Sequence, residues 1–200
     1  PGASMSTAQF FPDARISVVE NLLATTGNNE ALVAIDEAGN KRTRSWDELR
    51  SRVASIASAL QARGVEAGDR IAVWLPNSIE AIEVMLGAAS IGAVFSSSSP
   101  DFGVNGVLDR FGQIEPKVLF AVDGYVYNGK HFDCLERLAE ISKGLPSVIA
   151  TVVVNSNGTI LPDGAVAYDS FVASGSSAPV SPRRFSFNHP WYVLYSSGTT

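Results

Sequence analysis

Between residues 71 and 154, short apolar stretches alternate with stretches patterned for helix, and few architectures accept that alternation. Residues 71–75 read as a strand. Ile79, Ile82, Leu86 and Ala89 then recur at helical spacing, with Ala88 beside them. Residues 93–95 are strand-like again, and Val104, Val107, Leu108 and Phe111 mark a second helix. Residues 118–122 form an unbroken apolar run, the pattern of a strand buried on both faces. Phe132, Leu135 and Leu138 predict a third helix, and residues 148–154 a further strand. Apolar strands separated by amphipathic helices imply an α/β fold: a mostly parallel sheet flanked by helices on both faces.

The flanks are less regular. Residues 13–23 predict a short helix with Ile16, Val19 and Leu23 on one face. Residues 31–45 predict a hairpin around the turn cluster 36–40. Ser45 and Glu48 have the spacing of a capping box, in which the serine covers a free helix N–H and the glutamate reaches back. Leu49, Val53, Ile56 and Leu60 follow at helical spacing, and Gly64 ends that helix. Residues 96–99 and 123–130 read as loops. Residues 155–190 turn rich in Ser, Gly, Pro and Asn and predict a loose connection with a short helix at 168–172. Residues 192–195 read as a short buried strand. Residues 1–9 read as a tag remnant or disordered leader, which leaves 10–200 as the folded part.

Composition excludes several classes. Of the 200 residues, 46% are hydrophobic and 18% charged, enough apolar surface for a core and too little charge for a disordered chain. A net charge of −5 argues against a nucleic-acid partner, and the basic pairs at 41–42 and 183–184 are too short for a nucleic-acid patch. A single cysteine, Cys134, permits no internal disulfide, suits a reducing cytoplasmic compartment and reads as packing on the buried side of a helix. His131 and His189 fit no metal-ligand spacing, so no metal site is expected. No apolar run approaches a membrane span, and no signal-peptide pattern opens the chain.

In open parallel sheets ligands sit beyond the carboxyl ends of the strands. That rule selects the segments 96–101, 123–130 and 196–200. The last is the most informative. Ser196, Ser197, Gly198, Thr199 and Thr200 follow a strand, and a Ser/Gly/Thr loop there can cradle phosphate with backbone N–H groups and hydroxyls. It is not a Walker A loop, which needs Gly–Lys after a fixed spacing. On these five residues alone, a plain turn and a phosphate cradle both stay open.

Tyr195–Ser196–Ser197–Gly198–Thr199–Thr200 resembles the start of the phosphate loop of adenylate-forming enzymes. Asp69–Arg70–Ile71–Ala72–Val73, then Leu75–Pro76–Asn77 and Gly87–Ala88–Ala89–Ser90–Ile91–Gly92–Ala93, resemble a core pattern of the same superfamily. The stretch from Ser98–Ser99–Pro100–Asp101 through Asp109–Arg110–Phe111–Gly112–Gln113–Ile114–Glu115–Pro116–Lys117 is similar to the acetoacetate-activating branch, the acetoacetyl-CoA synthetases. Asp123–Gly124–Tyr125 and Gly129–Lys130 continue that likeness.

The resemblance implies a ligase in which a carboxylate attacks the α-phosphate of Mg-ATP and CoA then captures the acyl-adenylate. It implies that Ser196, Ser197, Gly198, Thr199 and Thr200 hold the β- and γ-phosphates. It implies CoA contacts from Ser99, Pro100 and Asp101 after one strand, and from Tyr127 and Lys130 after another. The relatives carry glycines in the first of these loops and an arginine where Tyr127 stands, so Lys130 alone keeps the cation a phosphate favours. The chain then reads as the N-terminal part of an AMP-binding domain, ending inside the phosphate loop. No catalytic residue is expected within it, and alone it is expected to be inactive. Its partners would be acetoacetate, ATP, CoA and the remainder of the same chain.

Two alternatives stay open: a ligase for acetate or another short acid, and a self-standing α/β nucleotide-binding module. Other residues read as structural. Trp74 and Phe95 are expected in the core, Asp69 in a Gly–Asp turn, and His189 as shaping the entry to the last strand. Glu80 and Glu83 are expected to complement the dipole at a helix start.

Overall fold

The computed structural model describes residues 10–154, 160–178 and 183–196. It opens with β1 (Arg15–Ile16) and α1 (Val18–Leu22), where a single helix over 13–23 was expected. Ser17 divides the two, its hydroxyl accepting the Glu20 N–H at 3.2 Å. Upstream, Arg15 and Ile16 are drawn into pairing with a strand late in the chain, which leaves Ile16 exposed.

β2 (Glu30–Ile35) and β3 (Lys41–Ser45) form the expected antiparallel hairpin. Ser45 and Glu48 make both halves of the capping box at the start of α2 (Trp46–Ala62). Gly64 follows the helix at φ 75°, a left-handed conformation that glycine adopts without strain.

Next come β4 (Arg70–Trp74), α3 (Ile79–Ser90) capped by Ser78, β5 (Val94–Ser98), α4 (Val104–Phe111) and β6 (Val118–Val122). All five residues of β6 are buried, as its unbroken apolar run predicts. β5 is longer than its apolar residues suggest. Ser96, Ser97 and Ser98 pair with Ala72, Val73 and Trp74, so three of the four residues of the expected loop 96–99 are strand. Ladder hydrogen bonds use the backbone, and serine is small enough to be buried between neighbouring strands.

Residues 123–130 are not a loop either. β7 (Gly124–Tyr127) and β8 (Lys130–Asp133) make an antiparallel hairpin. Its turn is Asn128–Gly129, with φ of 50° and 69°. Positive φ at both central residues is the tight hairpin turn that Asn–Gly favours, because its twist matches that of the flanking strands. Phe132 lies in β8, and the helix placed there starts later, as α5 (Leu135–Gly144). Cys134 is its N-terminal cap residue and is fully buried.

β9 (Ala150–Val154), β10 (Ala165–Ala167), α6 (Tyr168–Ala173), β11 (Phe185–Ser186) and β12 (Tyr192–Val193) complete the chain. Within the segment expected as a loose connection, α6 is the short helix expected at 168–172, and the segment also contributes an edge strand and the partner of β1. The last strand is shorter than expected and not buried: Tyr192 is 46% and Leu194 73% exposed.

Among the described residues the main sheet has six strands in the order β10-β9-β6-β4-β5-β12, every neighbouring pair parallel. The chain is therefore α/β, with a parallel sheet and helices on both faces. α2, α3 and α6 pack together on one face, and α4 packs with α5 on the other. The core runs through Trp74, Phe120, Ile71, Leu119 and Phe171, all fully buried. The order of connections matters most for function. β4 leads to β5 on one side, and the chain then crosses back to place β6 on the other. By the rule for open α/β sheets, that reversal marks the carboxyl ends of β5 and β6, above the end of β4, as the crevice where ligands bind.

Candidate functional site at the carboxyl edge of the sheet

The segments after β5, β6 and β12 all leave the same edge, because the strands run parallel. The β5–α4 loop is the most firmly held. Ser99 Oγ donates to Asp101 Oδ2 at 2.8 Å and accepts the Asp101 N–H at 3.2 Å. Pro100 is buried, and its carbonyl accepts Arg137 Nη1 at 2.9 Å. Arg137 projects from the first turn of α5. It also reaches the Asp133 carbonyl at 3.3 Å and Cys134 Sγ at 3.3 Å, and its guanidinium lies 5.3 Å from the Trp74 ring. The Tyr125 phenol lies near enough to the Asp101 carboxylate and to Arg137 for both to influence it. Burial raises the Tyr125 pKa, and the Asp101 carboxylate raises it further. Burial also pushes the Cys134 thiol up to about 11, which leaves it a packed, unreactive group.

Asp101 is therefore committed to its own loop through Ser99, with Tyr125 nearby. Two buried polar atoms at this edge lack a hydrogen-bond partner, Trp74 Nε1 and Ser98 Oγ. Trp74 and Ser98 are register neighbours at the ends of β4 and β5, so both side chains face the α4–α5 side.

The β6 side is built differently. Tyr127 and Lys130 are exposed and pair across the hairpin turn. The tip between them is held from outside the crevice, with Glu37 accepting the N–H groups of Asn128 and Gly129 at 2.9 and 3.0 Å. Ser99, Pro100 and Asp101 thus form one cluster with Tyr125 and Arg137, while Tyr127 and Lys130 sit together at the hairpin tip.

At β12, Tyr195 marks the root of the Ser/Thr loop. Its hydroxyl donates to the Arg110 carbonyl at 3.0 Å and lies 3.2 Å from Ser96 Oγ. Burial raises its pKa. Ser196 is exposed, and Ser197, Gly198, Thr199 and Thr200 lie outside the described residues. Among the described residues no three His, Cys, Asp or Glu side chains gather as a metal site, so none is assigned to magnesium. No helix among them is long and apolar enough to cross a membrane.

The family model for AMP-binding enzymes matches residues 19–200. The chain belongs to the AMP-binding enzyme family. Acetoacetyl-coenzyme A synthetase of Rhizobium meliloti (strain 1021) is 45% identical over 203 residues, covering 100% of this chain and 31% of that protein. The malonamoyl-CoA synthetase vrtB of Penicillium aethiopicum is 35% identical over 207 residues, 96% of this chain and 29% of that one. The solved structure of acetoacetyl-CoA synthetase from Streptomyces lividans superposes with a TM-score of 0.93 at 42% identity, covering 98% of this chain and 30% of that chain. The chain thus spans about 30% of the length of these relatives.

Sequence reasoning did not single out Arg137, Tyr125 or Arg110 as site-shaping residues. For the first two the available signal was the Asn–Gly turn. Once 124–133 is read as a hairpin, Tyr125 falls on β7 beside the crevice and Arg137 in the first turn of the helix behind it.

Proposed function

We propose that this chain forms part of an AMP-forming acid–CoA ligase that activates acetoacetate with Mg-ATP and passes the acyl group to CoA in the cytoplasm. The similarity to acetoacetyl-CoA synthetases, sustained along the whole chain, carries this reading. The crevice at the carboxyl edge agrees with it but would suit many nucleotide enzymes.

In the first step a carboxylate and a triphosphate must approach each other, so the protein's task is to offset negative charge and fix geometry. Ser196, Ser197, Gly198, Thr199 and Thr200 would hold the β- and γ-phosphates, with Tyr195 fixing the point from which that loop springs. Magnesium would travel with the nucleotide and neutralise phosphate charge. In the second step Ser99 and Pro100 would border the CoA nucleotide, and Lys130, with Tyr127 beside it, would supply a cation toward its phosphates. Asp101 would act through the shape of its loop, since its carboxylate is already satisfied and would repel a phosphate.

A second reading changes only the acid. The likeness to a malonamoyl-CoA synthetase favours it, because the same stretch recurs in a protein named for a different acyl group. The deciding experiment is ATP–pyrophosphate exchange by the full-length protein with acetoacetate, acetate, propionate and malonamate in parallel. Acetoacetate is expected to drive exchange most efficiently, and CoA to convert the product to thioester. A preference for another of these acids would favour the second reading, and exchange with none of them would overturn both.

A further inference from the structure

Arg110, on α4, lies between two aromatic rings that belong to different strand-end segments. Its guanidinium carbon is 4.1 Å from the ring centroid of Phe102, in the β5–α4 loop, and 5.8 Å from that of Tyr195, at the root of the Ser/Thr loop. Nη1 donates to the Gly106 carbonyl at 2.6 Å, which holds the side chain back along its own helix and between the rings. The backbone of the same residue takes part, since its carbonyl accepts the Tyr195 hydroxyl at 3.0 Å. Ser96, on the strand that leads into the first segment and pairs with β12, lies against that hydroxyl as well. One residue of α4 therefore touches both segments, although Phe102 and Tyr195 are far apart in sequence.

We propose that Arg110 is a positioning residue that makes the β5–α4 loop and the root of the Ser/Thr loop move as one unit. The nucleotide-phosphate side and the CoA side of the site are thereby set in register with each other. This rests on the ligase reading above and extends it to how the two substrates are placed together. The chemistry of the side chain suits the task. A planar, delocalised guanidinium can face two rings and still donate to a carbonyl, whereas a lysine ammonium is a compact charge that cannot cover both. Small displacements of reacting groups are costly in rate, so a shared anchor would act on both substrates.

The test uses the full-length protein with R110M, R110K and F102L. Pyrophosphate exchange without CoA gives the KM for ATP, and thioester formation gives the KM for CoA. R110M is expected to raise both together by about three- to tenfold, the size expected for losing partly desolvated cation–ring contacts. R110K is expected to recover part of the loss. F102L, which alters a partly exposed ring, is expected to raise the KM for CoA more than that for ATP. A merely structural role would lower kcat and melting temperature while leaving both KM values in place, and that outcome overturns the proposal. So does a rise in only one KM for R110M.

Hydrogen exchange supplies a readout besides activity. Amides of Phe102 and Gly103 and of Tyr195 and Ser196 should exchange faster together in R110M, and unchanged exchange at either segment overturns the coupling. Should the unaltered protein support no acid-dependent exchange of pyrophosphate, the ligase reading fails, and hydrogen exchange still decides whether Arg110 couples the two segments.

Discussion

On the α2–α3 side of the sheet the packing closes around a charge; on the α4–α5 side it closes around apolar side chains, and the charges stay at the strand ends. Glu83 is fully buried on α3. It accepts Arg44 Nε from β3 and Arg52 Nε from α2, each at 2.9 Å, and the Tyr168 hydroxyl from α6 at 2.6 Å. Burial raises the Tyr168 pKa, and the Glu83 carboxylate raises it further, so the phenol remains a donor. Arg52 has a raised pKa although burial opposes its charge, because Glu83 outweighs that effect. Across the sheet, Val107 and Phe111 of α4 meet Leu138 and Ile141 of α5, all fully buried. There the arginines Arg110 and Arg137 donate to backbone carbonyls and the Cys134 sulfur and lie against aromatic rings. The first arrangement welds four elements into a platform. The second leaves a greasy interior beneath a polar rim that shapes the crevice.

The largest expected effect tests the platform. Removing the carboxylate in E83A strands two partly buried guanidinium groups and a phenol. Breaking a buried charged network costs roughly 3–5 kcal/mol, read from the shift of the urea midpoint. A cost below about 1 kcal/mol would mean that water replaces Glu83 easily, as at a surface pair, and the contrast between the two sides would disappear.

A glycine on each side sharpens the comparison. A Cβ at Gly87 would come within 2.5 Å of Ile56 Cγ2 and 2.9 Å of Ile56 Cβ, whereas one at Gly144 would meet the terminal methyl of Leu108 at 2.6 Å. Ile56 is β-branched and stiff, while Leu108 can swing its end away. G87A should cost about 1–3 kcal/mol by overpacking. G144A should cost less, because the end of Leu108 can move aside where Ile56 cannot; the better helix propensity of alanine, up to about 1 kcal/mol, favours both substitutions alike. Equal penalties in thermal melts would show that the apolar side is packed as rigidly as the charged one.

The smallest effect concerns the hairpin tip. The N–H groups of Gly129 and Asn128 hold the Glu37 carboxyl below its ordinary value of 4.5. A depressed folded pKa means that this clamp is complete above the unfolded value and is lost as pH falls through the lower folded one. The amide resonances of Asn128 and Gly129 should therefore titrate below pH 4.5 and stop doing so in E37Q. Titration at or above the ordinary carboxylate value would show that the exposed tip is not clamped.

These contrasts were unevenly legible in the sequence. The parallel sheet was, because an unbroken apolar run such as 118–122 has no exposed face to hide. The capping box at Ser45 and Glu48 was, because its partners lie three residues apart. The serines of β5 were not, since composition suggests a loop where the backbone ladder decides. The β7–β8 hairpin was missed although Asn128–Gly129 signals it, because the polar residues around that pair drew a loop reading. Glu83 looked like a complement to the helix dipole, a local role. Its actual partners lie 31, 39 and 85 residues away, and no local pattern reports them. The arginines at the crevice were hidden for the same reason: their meaning depends on which strand ends become neighbours.

The strand order also dictates a sequence of events in time. β4, β5 and β6 follow one another closely along the chain and lie side by side, so their pairing closes short loops. β12 must return to Phe95 from Tyr192, 97 positions later, to claim the opposite edge. Closing a long loop costs more entropy than closing a short one, and it is repaid only after its target strand exists. The strand that leads to Tyr195 should therefore dock last. Pulse-labelled exchange during refolding should show β6 amides protected before those of β12. On that schedule this edge of the sheet is laid down only after the strands it rests on are already in place, so its late closure cannot misdirect their pairing.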